Sequence, residues 1–110
     1  GDGRAALPLA ALHGRRLLAV AGLAAPEKFF AMLEQAGLTI DRLPLPDHHA
    51  YAALPWPPGT AEVVTTEKDA VKIDPSHIGA TRVWVVPLDL TLPSALIGQL
   101  VSLLPAPTSP

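Results

Sequence analysis

"RRLLAVAGLAAPEKFFAMLEQAG" (residues 15–37) decides the fold. Residues 15–23 form a short apolar run behind two arginines, the mark of a strand buried on both faces, as in a parallel sheet. A Gly/Ala-rich turn follows. Pro26 suits a first helical position, Glu27 complements the positive helix end, and Gly37 is a natural stop. Between them Phe29, Met32, Leu33 and Ala36 recur at i, i+3, i+4 and i+7. That spacing predicts a helix of about three turns with one face on the sheet.

The same reading extends outward. "LTIDRLPLP" (38–46) is a second strand whose ladder Pro44 and Pro46 end. "AEVVTT" (61–66) is a third, and a short helix follows from Thr66. "TRVWVVPLDL" (81–90) is a fourth, closed by Pro87. "LPSALIGQLVSLL" (92–104) carries Leu96, Leu100 and Leu103 at helical spacing and predicts a closing helix. Residues 47–60 read as a loop, with Trp56, between prolines, as a lid over the core. Strands alternating with helices predict an α/β domain: a small, mostly parallel sheet of about four strands flanked by helices, Rossmann-like. Residues 1–14 are expected to be a linker or N-terminal extension, 15–104 the domain, and 105–110 a disordered tail.

Composition narrows the function classes. The 110 residues are 49% hydrophobic and 16% charged, which argues for a packed core over disorder. The net charge of −2 and a pI near 6.0 leave no basic stripe of the kind a nucleic-acid backbone demands. There is no cysteine, so a disulfide scaffold, a thiolate nucleophile and Cys-ligated zinc are excluded. Each apolar run is interrupted by Arg, Glu, Asp or Pro before it could span a bilayer. The start "GDGRAALPLA" lacks the layout of a signal peptide. With an opening Gly and no initiator Met, it predicts a piece of a longer protein.

Three polar segments each lie just past the carboxyl end of a predicted strand: "AGLAAPE", "PDHHAY" and "TTEKDAVK". In a parallel sheet those ends share one edge, where open α/β sheets hold their ligands. Asp47, His48 and His49 hold half of the four histidines. Adjacent residues diverge on a strand or a helix, so the two histidines are a poor chelating pair, and no metal site is expected. One His is expected to face the cleft, with Asp47 placed to orient an imidazole and raise its pKa. The plainer alternative makes Asp47 a turn cap and both histidines loop surface. A DHH-type metal-dependent phosphoesterase would need further Asp/His motifs that Asp2, Asp41, Asp69, Asp74 and Asp89 do not form.

In "TTEKDAVK", Thr66 and Asp69 have the T-x-x-D spacing of a capping box, and Glu67 favours the positive helix end. Stability alone explains these. It does not explain Lys68, a cation in the first turn, which makes sense beside an anion or an acidic partner. The chain has no G-x-x-x-x-G-K-[ST] and no G-x-G-x-x-G, hence no recognisable nucleotide cradle.

Taken together, "LAVAGLAAPEKFF", "LPDHHAY", "VVTTEKDAVK" and "VWVVPLDL", in this order and spacing over about residues 12–90, resemble the C-terminal portion of the tetraacyldisaccharide 4′-kinases, the lipid A 4′-kinases of Gram-negative bacteria. The resemblance implies transfer of the ATP γ-phosphate to the 4′ hydroxyl of a tetraacylated disaccharide 1-phosphate. ATP and Mg²⁺ would be bound mainly by an N-terminal kinase domain, which would also make the membrane contact. The location implied is the cytoplasmic face of the inner membrane. A histidine of the D-H-H motif would reach a catalytic aspartate across the interdomain cleft. That role falls on His48, with His49 as the fallback and Asp47 as the orienting neighbour; Thr66, Glu67, Lys68 and Asp69 map to the same cleft. Leu45, where the family often has Phe, and Ala24-Ala25, in place of a more polar turn, depart from the pattern. The competing expectation is a non-catalytic α/β domain that binds a partner through this strand edge.

Overall fold

Residues 6–46, 51, 53–87 and 100–104 are described by the structure, a computed structural model. Along them run β1 (Ala6–Pro8), β2 (Arg16–Ala21), α1 (Pro26–Gln35), β3 (Thr39–Pro44), β4 (Glu62–Thr66), α2 (Glu67–Ala70), β5 (Arg82–Val86) and β6 (Leu100–Leu103). Short 3-10 turns occupy Leu9–Leu12 and Pro75–His77. The strands form one sheet in the order β1-β6-β5-β4-β2-β3. From β3 through β2 and β4 to β5 the pairing is parallel; β6 is antiparallel to β5, and β1 to β6. The α/β class with a mostly parallel sheet is therefore as the alternation predicts.

Period-2 alternation along the central strands divides the core. Leu17, Ala19 and Ala21 of β2, Val64 of β4, and Trp84 and Val86 of β5 pack with Phe29, Phe30 and Leu33 of α1. Val20, Val63 and Val83 point the other way, onto Tyr51, Trp56, Ile73 and Ile78. One face is thus covered by a helix and the other by the proline-rich loop and the segment after α2. Trp56 is only 5% exposed, the lid its setting predicts.

Helix α1 starts with Pro26 at its first position and has Glu27 in its first turn, while Ala25 contributes no side-chain cap. Its far end is closed by backbone alone. Gly37 adopts φ +95°, its N–H donates to the Glu34 carbonyl (3.0 Å), and Leu38 N–H donates to the Leu33 carbonyl (3.1 Å). This is a Schellman motif, and buried Leu38 and Leu33 supply its apolar contact. At the exposed edge strand β3, Arg16 grips Asp41 with two bonds (2.9 and 2.7 Å). Arg42 pairs with Glu34 and lies over the Phe30 ring.

Two expectations change. Leu100–Leu103 is a strand on the outer edge of β5, with Trp84 opposite Leu103, where a helix was expected over 92–104; residues 91–99 lie outside the described residues. Leu103 joins the α1 side of the core and Leu104 the opposite side, an alternation that a helix cannot give. Residues 6–12, expected in an extension, form β1 and a turn that puts Leu12 fully into the core. Among the described residues the sheet accordingly has six strands where about four are expected from the sequence.

Candidate functional site

The parallel strands β2 and β4 end side by side, and three segments leave that edge. Gly22 begins the turn from β2 to α1. Leu45, beyond β3, donates its N–H to the Ala21 carbonyl (2.9 Å), which holds the start of the next loop against the same turn. Beyond β4, Thr66 caps α2: its hydroxyl accepts from Asp69 N–H at 3.0 Å.

Asp69 joins them. Its Oδ1 accepts from Gly22 N–H (3.0 Å) and from the Tyr51 hydroxyl (2.9 Å), and its Oδ2 accepts from the Thr66 hydroxyl. The residue is 1% exposed, so these bonds operate where water does not compete. Only half of the predicted capping box is present. Thr66 caps the Asp69 amide, but the Asp69 carboxylate turns to Gly22 and Tyr51 across the edge. Next to it, the buried Thr65 hydroxyl donates to the Val20 carbonyl (2.7 Å), tying β4 to β2 at their ends.

Tyr51 is held in an unusual way. Its φ of +57° puts a bulky side chain in the left-handed region, which costs on the order of 1–3 kcal/mol and persists only where surroundings enforce it. The ring is 6% exposed against Val20 and Trp56, with its hydroxyl on Asp69. Burial pushes the phenol pKa far above its ordinary value of 10.0, and the Asp69 charge adds to this. Tyr51 is therefore a neutral donor at any physiological pH.

The predicted site residues separate cleanly. Thr66 and Asp69 are buried in this network, whereas Glu67 and Lys68 are exposed on the first turn of α2. Asp47, His48 and His49 lie outside the described residues, which resume at Tyr51. Sequence reading missed Tyr51 and Gly22 as partners of Asp69. The signal for them was weak: a buried helix-start carboxylate needs more donors than its own cap provides.

Gly22 N–H and Asp69 N–H are already committed to Asp69 and Thr66, so these two amides are not open to a nucleotide phosphate. Among the described residues no three His, Asp or Glu side chains gather as metal ligands, and no helix is long and apolar enough to cross a membrane. A cavity of about 350 Å³ opens beside α2, lined by Glu67, Val71, Val85, Pro87 and Leu103, with Val71 83% exposed. A larger cleft of about 860 Å³ lies at the amino ends of β4 and β5, between the Trp56–Ala61 loop and His77–Arg82, away from the motif edge.

Residues 3–105 match the family model described as Tetraacyldisaccharide-1-P 4′-kinase. Tetraacyldisaccharide 4′-kinase of Methylibium petroleiphilum is 47% identical over 114 residues, covering 100% of this chain and 32% of that protein. The protein of the same name in Leptothrix cholodnii is 45% identical over 96% of the chain and 31% of its own length. That of Xanthomonas campestris is 46% identical over 86% of the chain and 26% of its length. The chain therefore spans about a third of the curated relatives it matches. No solved structure matches it significantly.

Proposed function

The chain belongs to the tetraacyldisaccharide-1-P 4′-kinase family, and on that premise we propose that it is the C-terminal domain of such a kinase and forms one wall of an interdomain active site. The reaction proposed is transfer of the ATP γ-phosphate to the 4′ hydroxyl of a tetraacyldisaccharide 1-phosphate. The observation that carries this reading is the Asp69 junction. It ties together the three segments that carry the family's motifs, at the strand edge where open α/β sheets bind ligands.

In the proposed chemistry the sugar 4′ oxygen loses its proton to a base, bonds to the γ-phosphorus, and ADP leaves. The base is an aspartate of the N-terminal domain. His48 pairs with it and favours its ionised form, Asp47 orients the imidazole, and His49 is the alternative partner. Exposed Lys68 is aimed at phosphate charge and exposed Glu67 lines the same wall, while Thr66 and Asp69 hold α2 in place. The nucleotide and its Mg²⁺ are assigned to the N-terminal domain, as the family resemblance implies. Phosphoryl transfer depends mostly on positioning and electrostatics, so a wall that closes on the cleft contributes without binding ATP by itself. The enzyme is placed at the cytoplasmic face of the inner membrane, with its membrane contact in the N-terminal domain.

The test is a phosphotransfer assay on the full-length protein with ATP and tetraacyldisaccharide 1-phosphate. Phosphate at the 4′ position is expected, and its loss when the wall residues His48 and Lys68 are both changed to Ala. An unimpaired double variant overturns the reading and favours a non-catalytic interaction domain, for which exposed Val71 beside its apolar cavity is the supporting observation.

A further inference from the structure

We propose that Asp69 is a positioning residue that never meets substrate: its carboxylate locks the turn after β2, Tyr51 and α2 into one unit, and so sets where Glu67 and Lys68 stand. The inference rests on the kinase reading above and assigns a role to a residue of the T-E-K-D motif that the family resemblance places at the ligand.

Three observations carry it. The carboxylate is 1% exposed, with Gly22, Tyr51 and Thr66 directed at its two oxygens, which leaves little room for a ligand atom. Its partners lie 47, 18 and 3 residues away in sequence, so one side chain spans three chain segments. Finally, Tyr51 stands two residues after His49, in a left-handed conformation that must be held from outside. Its hydroxyl bond to Asp69 is such a hold. Glu67 and Lys68, on the exposed side of the same turn, take their direction from the helix that Asp69 anchors.

The distinction from a ligand-binding carboxylate is chemical. Asn at position 69 keeps a carbonyl oxygen for Gly22 N–H and Tyr51 OH, and its amide can donate to the Thr66 oxygen. A positioning role survives that change, whereas a role that needs negative charge does not. In the full-length enzyme Asp69→Asn is expected to keep kcat within about threefold of wild type. Asp69→Ala is expected to lower kcat by about tenfold or more with KM for ATP unchanged, the size of effect that misplacement of catalytic groups produces. Hydrogen exchange on the same proteins should rise in Asp69→Ala at peptides covering Gly22 and Tyr51 as well as α2, and stay near wild type in Asp69→Asn.

Tyr51→Phe serves if Asp69→Ala fails to fold. It removes one donor and keeps the ring, and should raise exchange around residue 51 and lower kcat severalfold at constant KM. Equal losses in Asp69→Asn and Asp69→Ala overturn the proposal in favour of a charged contact. Wild-type exchange at Gly22 and Tyr51 in Asp69→Ala, or wild-type exchange and kcat in Tyr51→Phe, overturns it as well. Failure of the underlying kinase reading would appear separately, as unimpaired turnover in the His48/Lys68 double variant.

Discussion

Gly22 N–H donates to Asp69 Oδ1 across 3.0 Å, binding the turn after β2 to the helix after β4 although 47 residues separate them. The strand edge that carries the family's motifs is held by this buried bond and its two companions, from Tyr51 and Thr66.

The α2 cap is one part. Thr66→Ala removes the oxygen that accepts from Asp69 N–H and leaves a buried donor unpaired, so a loss of about 1–2 kcal/mol is expected in thermal or urea unfolding. Thr66→Ser keeps the oxygen and should recover most of it.

Alkaline pH should weaken the fold through Tyr51. Its folded pKa is raised by burial first and by Asp69 second, so the native state holds the phenol proton more tightly than the unfolded chain does. The stabilisation is complete below the unfolded value near 10 and is lost as pH rises from there towards the folded value. Unfolding temperatures followed from pH 8 to about 11 should fall more steeply for wild type than for Tyr51→Phe.

Acid should act on different groups. Arg42 holds Glu34, Arg16 holds Asp41, and Ser76 holds Asp74, each below its ordinary carboxylate value of 4.5, 3.8 and 3.8 respectively. With folded values depressed, their contribution is present above the ordinary values and is lost as pH falls through the lowered ones. All three are exposed, so the decline below about pH 4 should be modest and should shrink in high salt.

Glu62 is the corresponding junction at the other end of the parallel strands, the amino end of β4. One of its oxygens accepts from both Arg15 (3.0 Å) and the indole N–H of buried Trp84 (2.9 Å). Glu62→Ala strands the indole donor and should cost about 1–3 kcal/mol, whereas Glu62→Gln keeps an acceptor and should cost less. Denaturant unfolding of the two variants reads the difference.

Much of this architecture is legible in the chain because local pattern and tertiary packing agree. The apolar run of β2, Pro26, the Phe29–Leu33 stripe and Gly37 each specify by themselves what the fold uses. Leu96, Leu100 and Leu103 satisfy the helical spacing, so Leu100–Leu103 reads as helix in the sequence; the open edge of β5 overrides that preference. β1 has only three residues, too few for any periodicity to register. At the site, the Thr66 cap is a local signal and was readable. The Asp69 bonds to Gly22 and Tyr51 were not, since hydrogen bonding between remote segments leaves no trace in spacing.

The role proposed for this domain is to supply a histidine to the kinase active site. Its most direct test is steady-state 4′-phosphorylation by the full-length enzyme carrying His48→Ala, with His49→Ala alongside. In His48→Ala kcat is expected to fall about a hundredfold or more while KM for ATP stays within about threefold, and His49→Ala is expected to remain close to wild type. Near-normal turnover in His48→Ala would contradict it.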